Sequence, residues 1–186
     1  MVRLITLIGF LLWLLVYWEG GRRALADVRH ATSRLDASLM LTIAGGTLAI
    51  VGGGLTIILG LMSAPTEPIT SGLGLLLTAA GIGGTFYSRH YLGRFWTAEA
   101  ALQEEHRVVD TGPYALVRHP IYAAAIVMYL GLGLTFSYRW LWIAVAVVVA
   151  AYAWKARLED RFLEAELPGY QEYSRKTRYM LIPGLW

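Results

Sequence analysis

The chain has 186 residues, of which 56% are hydrophobic and only 16% are charged, and its mean hydropathy is +0.51. A soluble domain carries about 45–50% apolar and about 25% charged residues, so the composition excludes an ordinary soluble domain and predicts an all-α integral membrane protein in a single domain, 1–186. The net charge is +3, but the basic residues lie in short segments between apolar runs, which favours contact with membrane lipids rather than nucleic acid. Cysteine is absent, which excludes disulfides and thiolate metal sites.

Five apolar runs predict about five transmembrane helices. The first run, residues 4–18, is short and could be interpreted as the core of a signal peptide. Because no small-residue cleavage site follows it, we interpret it as a retained helix. The other predicted spans are residues 39–62, 68–87, 121–138 and 140–154. The last helix is expected to continue beyond the membrane to Leu167, where Pro168-Gly169 ends it.

The basic residues predict the topology. The polar segments 19–38 and 88–120 hold four Lys and Arg residues each, and the chain after Trp154 holds six. The opposite side holds only Arg3 and Arg139. Five spans place the three basic segments on the cytoplasmic side. The glycine clusters at residues 45–46, 52–54 and 81–84 lie inside apolar runs, so we interpret them as sites of close helix packing rather than as phosphate-binding loops.

One polar passage, residues 106–122, precedes the fourth apolar run and predicts a site at the membrane surface. Its Thr111-Gly112-Pro113 sequence indicates a turn that fixes the direction of Tyr114. Pro120 is favourable at the first position of a helix. This places His119 at the helix N-cap, beside backbone N–H groups that suit an anionic group. Tyr122 is expected at the same mouth.

Charged residues follow the last membrane tryptophan on the fifth helix. Lys155 and Glu159 are four residues apart, as are Arg157 and Arg161, so each pair shares a helix face. Such charges are typical of snorkelling cations and surface ion pairs. Together with Asp160 and the polar passage, they also predict a site at the membrane boundary. Without an HExxH motif or a close histidine pair, we expect no metal there.

These motifs resemble those of a known family. GPYALVRHPIYAA, followed some 35 residues later by LEDRFLEAELPGYQEYSRKTRYMLIPG, resembles the isoprenylcysteine carboxyl methyltransferase family, whose broader group includes the phospholipid N-methyltransferases. The likeness covers residues 92–183. It implies an integral membrane enzyme that uses S-adenosylmethionine without a Rossmann fold. Residues 1–87 would then form a three-helix scaffold, and residues 88–186 the methyltransferase half.

The resemblance implies a cofactor pocket on the cytosolic side of the C-terminal half. The residues implied to contact S-adenosylmethionine are His106, Arg107, Val108, Val109, Tyr114, Arg118, His119, Pro120, Ile121, Tyr122 and Glu159. Glu99 stands where a family glutamine contributes. Arg157 or Lys155 matches a family arginine on the substrate side, and the alignment does not choose between them.

Methyl transfer from a sulfonium mainly requires that the two reactants are positioned. A carboxylate acceptor needs a cation to hold it, for which Arg157 or Lys155 is the candidate. An amine acceptor needs a base instead, and Glu159 or Asp160 is nearest. We expect carboxyl methylation of an isoprenylcysteine or a similar lipid-linked carboxylate that enters from the bilayer. A phospholipid amine or a small thiol as acceptor, or a non-catalytic membrane scaffold, remain as alternatives.

Overall fold

A computed structural model gives the fold and describes residues 1–28, 58, 67–96, 105–136 and 141–185, with only the backbone described for residues 20–28. The described residues form helices joined by irregular segments and contain no strand. The helices are α1 (Val2–Val28), α2 (Pro68–Leu92), α3 (Pro120–Phe136), α4 (Leu141–Glu166) and α5 (Tyr170–Lys176), with 3₁₀ turns at Gly93–Phe95 and Gly112–Ala115. The predicted second span, residues 39–62, lies outside the described residues except for Ile58.

Three helical segments in the described part of the chain are long and apolar enough to cross a membrane. They are Val2–Glu19, Pro68–Phe95 and Leu141–Glu166, and α3 is a shorter apolar helix. Large apolar side chains on α1 and α2, such as Leu15 and Leu76, are more than half exposed, as expected of surfaces that face lipid. The predicted all-α integral membrane fold is therefore confirmed.

Local signals predicted some helix ends correctly and others wrongly. α3 begins at Pro120 as predicted, and α4 ends at Glu166, just before the predicted Pro168-Gly169 stop. Gly169 has a φ of +85°, a backbone conformation that glycine adopts without strain. The first predicted span ends at residue 18, but the helix α1 continues through the start of the polar segment to Val28. The short helix α5 in the polar tail was not predicted.

Small side chains bring α2 and α3 into backbone contact. The residues on the buried side of α2 are Ser71, Gly74, Thr78, Gly81, Thr85 and Ser88. A Cβ atom on Gly81 would clash with the Met128 backbone nitrogen, and one on Gly131 would clash with that of Thr78. Close packing is thus confirmed at Gly81, whereas Gly83 has nothing within 4 Å. This crossing fixes the start of α3 relative to the end of α2.

Aromatic residues of α1 complete the helix core. Phe10 and Trp13 pack in one cluster with buried residues of α3 and α4, among them Met128 and Val148. The Trp13 indole Nε1 donates a hydrogen bond of 2.8 Å to the Thr85 hydroxyl of α2. The N-terminal helix is therefore joined to the helices that carry the candidate site.

Candidate active site

The candidate site lies where the N-terminal end of α3 meets the second half of α4 and the C-terminal tail. Two adjacent carboxylates of α4, Glu159 and Asp160, share His119 but otherwise face different partners there. Asp160 holds the tail and the start of α3 together, and Glu159 belongs to a polar cluster with tyrosine and lysine side chains. The two carboxylates therefore have separate roles.

Asp160 is buried, with only 6% of its surface exposed, and its carboxylate accepts hydrogen bonds from three side chains. Arg118 donates from Nη2 to Oδ2 at 2.7 Å and from Nε to both oxygens at 3.0 and 3.1 Å. The Tyr170 hydroxyl donates to Oδ1 at 2.6 Å, and His119 Nε2 lies 3.1 Å from the same oxygen. Charge-assisted bonds of this bidentate kind are strong and directional. Because its oxygens are already engaged, Asp160 is a poor candidate for a general base.

Arg118 connects this ion pair to the tail. Its Nη1 donates to the carbonyl oxygens of residues 177 and 178, at 2.9 and 2.8 Å. The backbone N–H groups of Arg118 and His119 donate to the carbonyl oxygens of residues 179 and 180, at 2.9 and 3.0 Å. Burial lowers the pKa of Arg118, but the hydrogen bond and the charge of Asp160 outweigh this effect and raise it overall. The segment 177–180 is thus held against the start of α3, and one of its carbonyl oxygens accepts the hydrogen bond of the His119 backbone N–H.

Glu159 gathers several of the predicted residues. The Tyr122 hydroxyl donates to its Oε1 at 2.5 Å, and Lys155 Nζ lies 3.8 Å from the same oxygen. His119 Nδ1 lies 3.7 Å from Oε2, and the His119 ring stacks on that of Tyr122 with centroids 5.6 Å apart. Lys155 Nζ also lies 5.5 Å from the centre of the Tyr122 ring. We call Glu159, Tyr122, Lys155 and His119 the Glu159 cluster.

The structure separates the two cations between which the sequence did not choose. Lys155 shares the Glu159 face of α4 because four residues make about one turn. Arg157 is two residues from each of them, about 200° around the helix axis. It is exposed, whereas the Lys155 side chain is only 19% exposed. Lys155 is therefore the cation that belongs to the cluster.

The predicted residues of the preceding loop lie between the end of α2 and the tail. The His106 ring stacks on Phe95 with centroids 4.8 Å apart, and burial lowers the pKa of this histidine. Val108 packs against the buried tail cluster around Leu167. Val109 is half-buried and Arg107 is exposed. Glu99 lies outside the described residues.

Tyr114 and the first residues of α3 are buried at the same place. Pro120 and Ile121 are buried, and the Tyr114 carbonyl oxygen accepts a 2.8 Å hydrogen bond from the Tyr173 hydroxyl. The Tyr114 hydroxyl itself is buried without a hydrogen-bond partner among the described residues. Burial, followed by Tyr173 and Glu159, raises its pKa, so it stays protonated. Tyr114 thus brings an unused donor to the neighbourhood of Glu159.

Sequence reasoning missed Tyr17 of α1 and Tyr170 of α5. The Tyr17 hydroxyl is buried without a partner among the described residues and lies within electrostatic range of Tyr114, Tyr152 and Glu159. A tyrosine at the end of a span commonly lies at the membrane interface, so the sequence does not mark Tyr17 as a site residue. For Tyr170 a signal existed, since Tyr170 and Tyr173 share a helix face in the tail motif.

The described residues contain no group of three or more His, Cys, Asp or Glu side chains that could hold a metal ion. His106 lies against Phe95, and His119 lies between Glu159 and Asp160. The expectation that the protein has no metal site stays a prediction.

Comparison with known families identifies the class of this membrane protein as a methyltransferase. The model of the phospholipid methyltransferase family matches residues 69–167, just over half of the chain. The chain therefore belongs to the phospholipid methyltransferase family, whose members generally use S-adenosylmethionine. The match includes α2, α3, α4 and the Glu159 cluster.

Two curated relatives are metal-resistance proteins. The chain is 34% identical over 105 residues to the cobalt-zinc-cadmium resistance protein CzcN of Cupriavidus metallidurans. It is 33% identical over 104 residues to the nickel-cobalt-cadmium resistance protein NccN of Alcaligenes xylosoxydans xylosoxydans. In each case the match covers 55% of this chain and 47% of the relative. The chain thus spans about half the length of the curated relatives it matches.

Proposed function

We propose that the protein is an S-adenosylmethionine-dependent membrane methyltransferase that methylates the carboxylate of an isoprenylcysteine or a similar lipid-linked acceptor. The Glu159 cluster carries this proposal. It combines a carboxylate, a cation and aromatic rings at the end of membrane helices. Family membership supports methyl transfer in general, and the cluster supports the choice of acceptor. The active site would face the cytoplasm, as the distribution of basic residues predicts.

The residues at the site fit S-adenosylmethionine chemically. Its sulfonium is a cation, and the Glu159 carboxylate and the Tyr122 ring suit a cation. The buried hydroxyls of Tyr17 and Tyr114 have no partner among the described residues and can bond polar groups of a ligand. When bound, the cofactor supplies an already activated methyl group. The task of the protein is then to hold and align the acceptor.

In this proposal Lys155 holds the acceptor. A carboxylate is ionised at neutral pH, so no base is needed to expose its attacking oxygen. A lysine ammonium that is largely shielded from water binds such a group more strongly than an exposed one does. Lys155 meets this condition and stands beside Glu159 and the Tyr122 ring. Tyr122 and His119 would restrict the directions from which the acceptor approaches.

A second candidate is methylation of a phospholipid amine, and the family match is the observation that favours it. An amine must lose a proton before or during attack. Glu159 would accept that proton, because Asp160 is already engaged by Arg118, His119 and Tyr170. A small thiol acceptor would also have to lose a proton, and Glu159 would accept it.

The test compares three methionine substitutions on α4: Lys155→Met, Arg157→Met and, as the matched control, the exposed Arg161→Met. For each variant, kcat/KM toward N-acetyl-S-farnesylcysteine and the Kd for S-adenosylmethionine are measured. Because a hydrogen bond to a charged group contributes about 1.5–3 kcal/mol, Lys155→Met should lower kcat/KM by roughly 10- to 100-fold. Its cofactor Kd should stay within about twofold, and Arg161→Met should behave like the wild type.

Two results would contradict this assignment. A larger loss in Arg157→Met than in Lys155→Met would place the acceptor on the other side of α4. An equal loss of cofactor affinity and turnover in Lys155→Met would mean that this lysine acts on the cofactor.

A further inference from the structure

We propose that α1 and α2 contribute a second binding element to the site, in which Arg89, stacked on Trp96 and Tyr17, binds an anionic oxygen group of the lipid acceptor. The anionic group is a carboxylate or a phosphate. This inference rests on the proposed function and deepens it. It gives Tyr17, which lies outside the predicted methyltransferase half, a direct part in choosing the acceptor.

Aromatic rings hold the Arg89 guanidinium in place. Its Cζ lies 3.9 Å from the centre of the Trp96 ring and 5.8 Å from that of Tyr17. The two rings meet edge to face with centroids 5.7 Å apart. A guanidinium stacked on an aromatic face keeps its N–H donors in its own plane, where they can bind a planar or tetrahedral oxyanion.

Arg89 differs from other arginines near the site in that no described carboxylate pairs with it. Arg94 pairs with Glu105 at 3.1 Å, and Arg118 pairs with Asp160 at 2.7 Å. Among the residues that the structure describes, no carboxylate forms an ion pair with Arg89. Its position on the last turn of a membrane-spanning helix is where anionic lipid groups lie.

Tyr17 links this arginine to the Glu159 cluster. Tyr17 and Tyr152 pack against the same helix core, and the Tyr152 ring lies 5.3 Å from that of Tyr122 in the Glu159 cluster. The hydrogen bond between Trp13 and Thr85, one turn earlier on both helices, fixes α1 against α2. An acceptor whose anionic group binds first at Arg89 would therefore move along Tyr17 to the Glu159 cluster, where Lys155 holds that group for methyl transfer.

The outer surfaces of α1 and α2 favour the acceptor over the cofactor as the source of the anion. The side chains of Leu12 and Leu15 on α1, and of Tyr87 on α2, are each more than half exposed near this end of the helices. A lipid that diffuses in the bilayer can reach Arg89 from this side. The amino-acid carboxylate of S-adenosylmethionine has the same chemistry, so the experiment must separate the two sources.

The experiment uses the full chain in liposomes with Arg89→Gln, Arg89→Lys and the control Arg94→Gln, whose arginine lies nearby but is exposed and paired. With saturating labelled S-adenosylmethionine, the KM is measured for N-acetyl-S-farnesylcysteine and for phosphatidylethanolamine. We expect Arg89→Gln to raise the KM of the accepted substrate at least tenfold and Arg89→Lys to raise it less. The cofactor Kd should stay within twofold in both, and Arg94→Gln should match the wild type.

A second measurement does not depend on turnover. Native mass spectrometry without cofactor should show that the wild type retains phosphatidic acid in preference to diacylglycerol, and that Arg89→Gln loses this preference. A tenfold rise in cofactor Kd with unchanged acceptor KM would overturn the inference, since Arg89 would then hold the cofactor. Unchanged values in every assay would overturn it as well. Arg89-dependent lipid retention in a wild type that transfers no methyl group would support the anion site and refute the proposed function.

Discussion

Replacing Asp160 with asparagine should release the C-terminal tail. The substitution leaves the Arg118 side chain, only 11% exposed, without its counter-ion. It also places an amide N–H₂ group opposite one of the groups that now donate hydrogen bonds to the Asp160 carboxylate. Removing one partner of a buried ion pair costs about 3–5 kcal/mol. Because the Asp160–Arg118 pair supports the bonds to residues 177–180, most of this cost should fall on tail closure. A cost of about 3 kcal/mol corresponds to roughly a 100-fold larger population with an open tail.

Limited trypsin proteolysis measures that population, since cleavage follows the open fraction when opening is fast. The tail offers exposed cleavage sites at Arg175, Lys176 and Arg178. Asp160→Asn should accelerate cleavage there on the order of 100-fold. The control is Asp110→Asn, which loses only the exposed 3.4 Å pair with Lys176 and should change the rate less than about fivefold. An unaltered tail cleavage rate in Asp160→Asn would refute the reasoning, as would equal acceleration throughout the chain.

Two further predictions concern helix packing and pH. Gly81→Val should lower the unfolding temperature in detergent sharply because its side chain would meet the α3 backbone, whereas Gly83→Val should change it little; equal effects would contradict the α2–α3 crossing. Burial lowers the pKa of His106, so the folded state resists protonation of this side chain. The free energy of unfolding is therefore not reduced by His106 above its ordinary pKa of about 6.5, and it falls as the pH drops below that value. His106→Phe should therefore lose less stability than the wild type between pH 7.5 and 5.5, and identical pH profiles would show that this histidine does not contribute.

Local sequence signals predicted the elements that depend on neighbouring residues. Pro120 marks the start of α3 because its fixed φ and missing N–H suit the first helical position. Pro168 and Gly169 mark the end of α4 for comparable local reasons. The spacing of Lys155 and Glu159 predicted their shared face, and the structure brings them together.

Long-range partners could not be predicted in this way. The bonds of Asp160 to Arg118 and Tyr170 join residues 42 and 10 positions apart, and the role of Asp160 depends on where the tail folds back. Tyr17 lies in the N-terminal scaffold and reaches the site only because α1 packs against α2 through Trp13. Sequence alone gives an interfacial tyrosine and an acidic doublet, and only the packing shows which side chain meets which.

Methyl transfer by the wild-type protein tests the central claim most directly. The chain in liposomes is given S-adenosylmethionine labelled in its methyl group, with N-acetyl-S-farnesylcysteine in one reaction and phosphatidylethanolamine in the other, and cofactor binding is measured in parallel. The account predicts saturable cofactor binding and label transferred to the farnesylcysteine carboxylate. Label found only in the phospholipid would show that the acceptor is the amine and not the carboxylate, with Glu159 as the base. No cofactor binding at all would contradict the methyltransferase account and favour the alternative of a non-catalytic membrane scaffold.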